Sequence, residues 1–219
     1  MWKMGRAISK RNKTSRLLRA ELLLRPIISA SASWWLEEEE EKGLEMEGDR
    51  VKDEALRLIG VFEVLPRLVV FDLDYTLWPF YCEMRSKWEV PRLYREAYSI
   101  LHALNDKGIE LAIASRSPTP DIANTFLNKL GIQSMFLAKE IFSSWTHKTE
   151  HFEGIHRRTG VPFESMLFFD DEYRNIDSVS RMGVTSILVD NGVNLRELRI
   201  GLEKFAEKSK QQENNEKST

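Results

Sequence analysis

Two aspartates one residue apart, Asp72 and Asp74, stand directly behind the apolar run Leu68-Val69-Val70-Phe71. A second acidic pair, Asp170 and Asp171, follows Met166 to Phe169 in the same way. Surface acids seldom follow a buried run so closely, which marks both pairs as site residues. Ser115 ends a further apolar run, Ile109 to Ala114, and Lys148 opens a helical pattern later in the chain. Brought together, four carboxylates repel one another, and a divalent cation removes that conflict. An all-oxygen donor set beside a phosphate favours magnesium. The remaining groups suit phosphoryl transfer, whose transition state spreads negative charge over three equatorial oxygens and asks mainly for positioning and neutralisation. Ser115 Oγ and neighbouring backbone N–H groups can bind phosphoryl oxygens, and Lys148 can contact both phosphate and nucleophile. Asp72, placed in line by a metal, is the expected nucleophile. Asp74 can protonate the leaving oxygen and later deprotonate the water that cleaves the acyl phosphate.

Those residues need a scaffold that delivers them to one rim. Short, continuously apolar runs suit strands buried on both faces, and five are present: Leu68–Phe71, Ile109–Ala114, Met135–Ala138, Met166–Phe169 and Val184–Val189. Between them lie helical patterns. One holds Ala97, Ile100, Leu101 and Leu104 and stops at Gly108; another starts at Thr119-Pro120 and stops at Gly131. Further helices are expected over Lys148–Thr159, Asn175–Met182 and Leu195 to about Ala206. Alternating strands and helices predict an α/β fold, a parallel sheet flanked by helices on right-handed crossovers. Ligands in such sheets sit beyond the carboxyl ends of the strands, which is where the acids, Ser115 and the segment bearing Lys148 fall.

A chain of 219 residues with 42% hydrophobic residues supports one domain with a sizeable core. A net charge of -2 gives no global pull toward nucleic acid or an anionic membrane, and no apolar run reaches a spanning length. The charge is uneven. Met1 to Arg25 carries eight basic residues against Glu21 alone, followed by small residues from Ser29 to Ser33, the composition of an organellar transit peptide. The expected division is a disordered leader over 1–48, a folded body over 49–206 and a disordered polar tail over 207–219. Met46 could begin a shorter chain. The compartment expected is the cytoplasm, or a plastid or mitochondrion if the leader is a transit peptide. Cys82 stands alone, which fits a reducing compartment. It is not a phosphatase thiolate, because that chemistry needs an arginine six positions later and Trp88 stands there.

Two other readings use parts of the same sequence. His147-Lys148-Thr149-Glu150-His151 spells H-x-x-E-H, a pattern of certain zinc peptidases, and on a helix its histidines would share a face. It provides no third ligand and leaves the strand-end aspartates unexplained. A non-catalytic phosphate-sensing domain also clusters aspartates, a hydroxyl and a lysine around magnesium. There the acidic pair follows the first strand and the accepting aspartate a later one, which is not the order here. Trp78, Pro79, Phe80 and Tyr81 read as an aromatic cluster packing a loop, or as a substrate-facing wall.

Asp72-Leu73-Asp74-Tyr75-Thr76 resembles the DxDxT signature of haloacid dehalogenase (HAD) superfamily phosphatases, with Ser115, Lys148 and Asp170-Asp171 in the order of its later motifs. The strings Phe71 to Phe80, Ala114 to Ser117 and Phe168 to Ile176 are similar to the magnesium-dependent, tyrosine-phosphatase-like family within it. That likeness runs from about Val51 to Phe205. It implies a Rossmann-like, HAD-type sheet and a phosphomonoesterase with Asp72 as nucleophile and metal ligand. Asp74 would be acid/base and bind metal through its backbone carbonyl; Ser115, Arg116 and Lys148 would bind phosphate. Asp171 would contact the metal directly, with Asp170 beside it or through water. Arg116 reads equally as a partner of a carboxylate. The stretch from Trp78 to Leu101 is shorter and more basic than in animal members and resembles plant members. Only 38 residues separate Thr76 from Ser115, and 21 separate Lys148 from Asp170, too few for a large cap domain. An open site implies bulky substrates, fructosamine-6-phosphate-like sugar phosphates or phosphotyrosine on a protein, handled by a monomer.

Overall fold

In the computed structural model, which describes residues 46–217, the apolar runs become one parallel five-stranded sheet. Its strands are β1 (Leu68–Phe71), β2 (Glu110–Ser115), β3 (Phe136–Ile141), β4 (Met166–Asp170) and β5 (Thr185–Leu188), in the order β3-β2-β1-β4-β5. The helices are α1 (residues 46–59), α2 (Ala97–Asp106), α3 (Pro120–Lys129), α4 (Thr149–Thr159), α5 (Tyr173–Ser180) and α6 (Leu195–Lys217). This is the expected Rossmann-like α/β architecture. β1 lies at the centre, and the chain reverses its direction of travel across the sheet there, the topological switch point at which such folds bind ligands.

Strand side chains alternate between two cores, as a period of two requires. Val69 and Phe71 of β1 face the side covered by α1, α2, α3 and α6, with Ile59, Leu101, Phe126 and Leu202 packed against them. Leu68 and Val70 face the other side, under Phe152 and Ile155 of α4 and Val179 of α5. Phe168 of β4 is fully buried there, edge-on to Phe152 at 4.8 Å. Burial of such a ring contributes about 2–3 kcal/mol. A sheet held on both faces fixes its strand tips.

Three elements depart from the sequence expectation. β3 continues past Ala138 to Ile141 because, at the sheet edge, Lys139 and Glu140 stay partly exposed while their backbone still pairs with β2. α6 runs to Lys217, which corrects the disordered tail expected over 207–219. That segment lacks apolar residues, but it also lacks glycine and proline, and glutamine, glutamate and lysine propagate a helix already nucleated on the core. The body also begins earlier than residue 49. Residues 46–48 belong to α1, and Gly48 O accepts a hydrogen bond from Ser99 Oγ at 2.8 Å. The rest of the expected leader, residues 1–45, lies outside the described residues.

Among the described residues no large cap is inserted. Between β1 and α2 the chain makes only a single 3-10 turn, Cys82–Met84. Among the described residues, no helix is long and apolar enough to cross a membrane.

Candidate active site

Register brings the two acidic pairs together. Phe71 of β1 pairs with Phe169 of β4, and Asp72 N donates to Phe169 O at 3.0 Å. Asp72 and Asp170 therefore emerge side by side. Lys148 reaches them from the N-terminus of α4, its Nζ 2.6 Å from Asp72 Oδ1 and 2.5 Å from Asp170 Oδ2. All three are buried, Lys148 to 1% exposure, so the lysine is embedded between two carboxylates. Its backbone is left-handed, at φ 71°, and so is that of His147, at φ 48°. Two consecutive non-glycine residues in that region store strain of about 1–3 kcal/mol each. The strain turns the Lys148 side chain inward, not along the helix surface.

The charges at this centre are unequal. Burial would lower the Lys148 ammonium, but Asp170 and Asp72 outweigh it and hold it above its ordinary value. Burial raises the Asp72 carboxyl well above the usual range; Lys148 opposes this, while Asp170 and Asp171 add to it. Asp171, only partly buried, is pushed up to about 6 by burial and by Asp170 beside it. One cation is too few for three carboxylates. One oxygen from each of Asp72, Asp170 and Asp171 can be chosen so that all lie within 4.8 Å of one another.

Asp74 is held differently. Its Oδ1 accepts Trp78 Nε1–H at 2.7 Å and the Cys82 backbone N–H at 3.1 Å, which leaves Oδ2 free for a proton. Burial raises its pKa, with Trp78 and Cys82 opposing. The turn between the two aspartates and Thr76 puts Tyr75 at φ 53°. Trp78 is fully buried, stacked on Phe80 at 5.5 Å and edge-on to Phe126 at 6.0 Å. The aromatic cluster thus packs the loop, while its last member, Tyr81, is half-exposed and lines the pocket.

Ser115, the final residue of β2, and Ser117 complete the opposite wall of an open pocket of about 280 Å³ that also contains Asp72, Asp74, Lys148 and Asp171. Arg116 lines this pocket as well, with its Nε donating to Ser144 O at 3.1 Å and a terminal nitrogen paired with Glu172 at 3.0 Å. The guanidinium thus lies at the pocket wall beside a carboxylate. Sequence reasoning did not single out Asn175, which is buried and donates from Nδ2 to both Asp170 oxygens at 3.1 Å. Its place on the first turn of the helix after the acidic pair was the available signal.

The zinc expectation does not survive. α4 starts at Thr149, so His147 precedes the helix and shares no face with His151. His151 Nε2 lies 3.0 Å from Ser115 O and 2.9 Å from Phe142 O. Among the described residues, the three-aspartate group is the one cluster able to hold a metal.

Comparison with known proteins agrees with the geometry. The family model described as Acid Phosphatase matches residues 64–92 and 87–208. "Magnesium-dependent phosphatase 1" of Homo sapiens is 41% identical over 157 residues, covering 65% of this chain and 88% of the relative. The chain belongs to the magnesium-dependent phosphatases of the HAD superfamily. A HAD-like hydrolase superfamily protein of Schizosaccharomyces pombe is 35% identical over 144 residues, 55% of this chain and 83% of the relative. The fold of the phosphatase also matches a HAD-superfamily hydrolase structure from Ehrlichia chaffeensis, with TM-score 0.51 at 12% identity over 64% of this chain and 98% of that one. The residues present fit a hard divalent cation: three carboxylates, an excess of negative charge and no nitrogen or sulfur donor in the cluster.

Proposed function

We propose that the phosphatase hydrolyses phosphomonoesters through an aspartyl-phosphate on Asp72, with magnesium as cofactor. Asp72 and Asp171 would hold the ion, joined by the backbone carbonyl of Asp74, with Asp170 beside it. When bound, the cation offsets the surplus negative charge and polarises the phosphoryl oxygens.

An Asp72 oxygen attacks phosphorus, and the bond to the leaving oxygen breaks. Asp74 Oδ2 gives its proton to that oxygen. Ser115 Oγ, the backbone N–H groups after it and the Lys148 ammonium face the phosphoryl oxygens and neutralise the charge they gather. Asp74 then takes a proton from water as the water oxygen attacks the same phosphorus. The bond from phosphorus to Asp72 breaks, and phosphate leaves. Asn175 and Lys148 keep Asp170 fixed throughout. The observation that carries this reading is Lys148 Nζ in contact with both Asp72 and Asp170 at the wall of the pocket.

Among the described residues no cap covers the mouth, so the leaving group can be large. Sugar phosphates of the fructosamine-6-phosphate kind and phosphotyrosine on a protein both fit an open site. Asp72→Asn should abolish hydrolysis of p-nitrophenyl phosphate while thermal unfolding stays close to wild type. EDTA should stop the wild-type enzyme and added magnesium restore it. Activity near wild type in Asp72→Asn rejects the nucleophile.

A further inference from the structure

His151 lies outside the pocket yet touches both segments that build its phosphate-facing side. The ring is fully buried and lies flat on Phe142, centroids 3.9 Å apart and planes 4° apart. Both oxygens near its Nε2 are backbone carbonyls, which only accept. Nε2 therefore carries the proton and shares it between Ser115 O and Phe142 O. Nδ1 is left deprotonated, buried and without a partner among the described residues. Burial pushes the ring's pKa down to about 4, with Lys148 adding to this against the two carbonyls, so it stays neutral.

The two carbonyls occupy decisive places. Ser115 O also accepts the Phe142 N–H at 3.0 Å, so the ends of β2 and β3 are tied twice. In a trans peptide the C=O and the following N–H point in opposite directions. Holding Ser115 O toward His151 turns the Arg116 N–H the other way, to the side where Ser115, Arg116 and Ser117 line the pocket. Phe142 O, in turn, roots the loop that ends at the strained Lys148. Arg116 Nε, bonded to Ser144 O, links that loop to the first segment.

We infer that His151 is a positioning residue for phosphoryl binding: its shared Nε2–H fixes the Ser115–Arg116 peptide and the root of the Lys148 loop. The inference rests on the reading of this wall as the phosphate-binding side. Packing on Phe142 would be met by an apolar ring, but only a ring with an N–H also ties Ser115 O and Phe142 O.

The test uses the full-chain enzyme with magnesium, p-nitrophenyl phosphate as substrate and inorganic phosphate as competitive inhibitor. His151→Phe keeps the ring and removes the donor; His151→Gln restores an N–H at similar reach. Expected is a rise of about tenfold in KM and in the phosphate inhibition constant for His151→Phe, with most of it recovered in His151→Gln. A purely structural role lowers the folded fraction, which reduces kcat and leaves KM and phosphate inhibition alone. That pattern, or a folded His151→Phe that binds phosphate like wild type, overturns the inference. If His151→Phe does not fold, the imidazole 15N spectrum of the wild-type protein decides: an Nε2–H tautomer supports the shared bond, and an Nδ1–H tautomer overturns it. Asp72→Asn in the same assay separates the two levels. If it is inactive while His151→Phe binds phosphate normally, only the positioning role fails; if it is active, the phosphatase mechanism fails first.

Discussion

The tips of β1 and β4 and the loop over residues 78–95 flank the same pocket, yet they are built by opposite rules. At the tips the central charges are buried and paired: Lys148 bridges two aspartates, and Asp170 takes Glu172 N–H, both Asn175 contacts and the lysine. In the loop, Trp88 is 81% and Val90 91% exposed, and the ion pair Arg85–Glu89 lies at the surface. A surface pair of that kind contributes about 0–1 kcal/mol, whereas breaking a buried pair by removing one partner costs about 3–5 kcal/mol. The chemistry is therefore written into rigid sheet ends. Trp78 and Cys82 at its start hold Asp74, but beyond Cys82 the loop can differ in length and charge without disturbing the strand tips.

Lys148→Met should give the largest response. It leaves Asp72 and Asp170 facing each other without their cation, and should cost about 3–5 kcal/mol of stability in magnesium-free buffer. For a domain of this size that is a fall in Tm of roughly 10 °C. Magnesium should recover part of it, because the ion relieves the same repulsion; calorimetry with and without magnesium checks this. A variant as stable as wild type would show that the tips are not electrostatically tense. Asp74→Asn comes next, with kcat down by about 10²–10⁴-fold for alkyl phosphates and much less for p-nitrophenyl phosphate, whose leaving group needs little protonation. An equal loss across leaving groups removes the acid role. The smallest effect is expected at the rim. Trp88→Ala and Val90→Ala should change stability by less than about 0.5 kcal/mol and leave p-nitrophenyl phosphate turnover unchanged. A loss of turnover there would erase the contrast between tips and loop.

What could be read from the chain follows the same contrast. Asp72 and Asp170 were legible because a continuously apolar run has nowhere to go but into a sheet, and the next residue then lands on its rim. Lys148 was assigned from order alone. Nothing in the sequence announces that two left-handed residues would turn it inward, since a lysine before a helix otherwise reads as solvent-exposed. The Trp78 bond to Asp74 was hidden because a tryptophan in an apolar cluster satisfies a packing argument before its N–H is considered. His151 was read as part of an alternative zinc motif that needs His147 on the same helix, and α4 starts only at Thr149. β3 and α6 were cut short because each was ended where its apolar pattern stops, although backbone pairing at a sheet edge and an already nucleated helix both continue through polar residues.

The central claim is that Asp72, at the tip of β1, takes the phosphoryl group. The most direct measurement is rapid acid quenching of the enzyme with a 32P-labelled phosphomonoester, followed by peptide mapping. The label should appear on the peptide containing Asp72, be released by hydroxylamine as an acyl phosphate is, and be absent in Asp72→Asn. No covalent label under single turnover, or a label on any other residue, would contradict it.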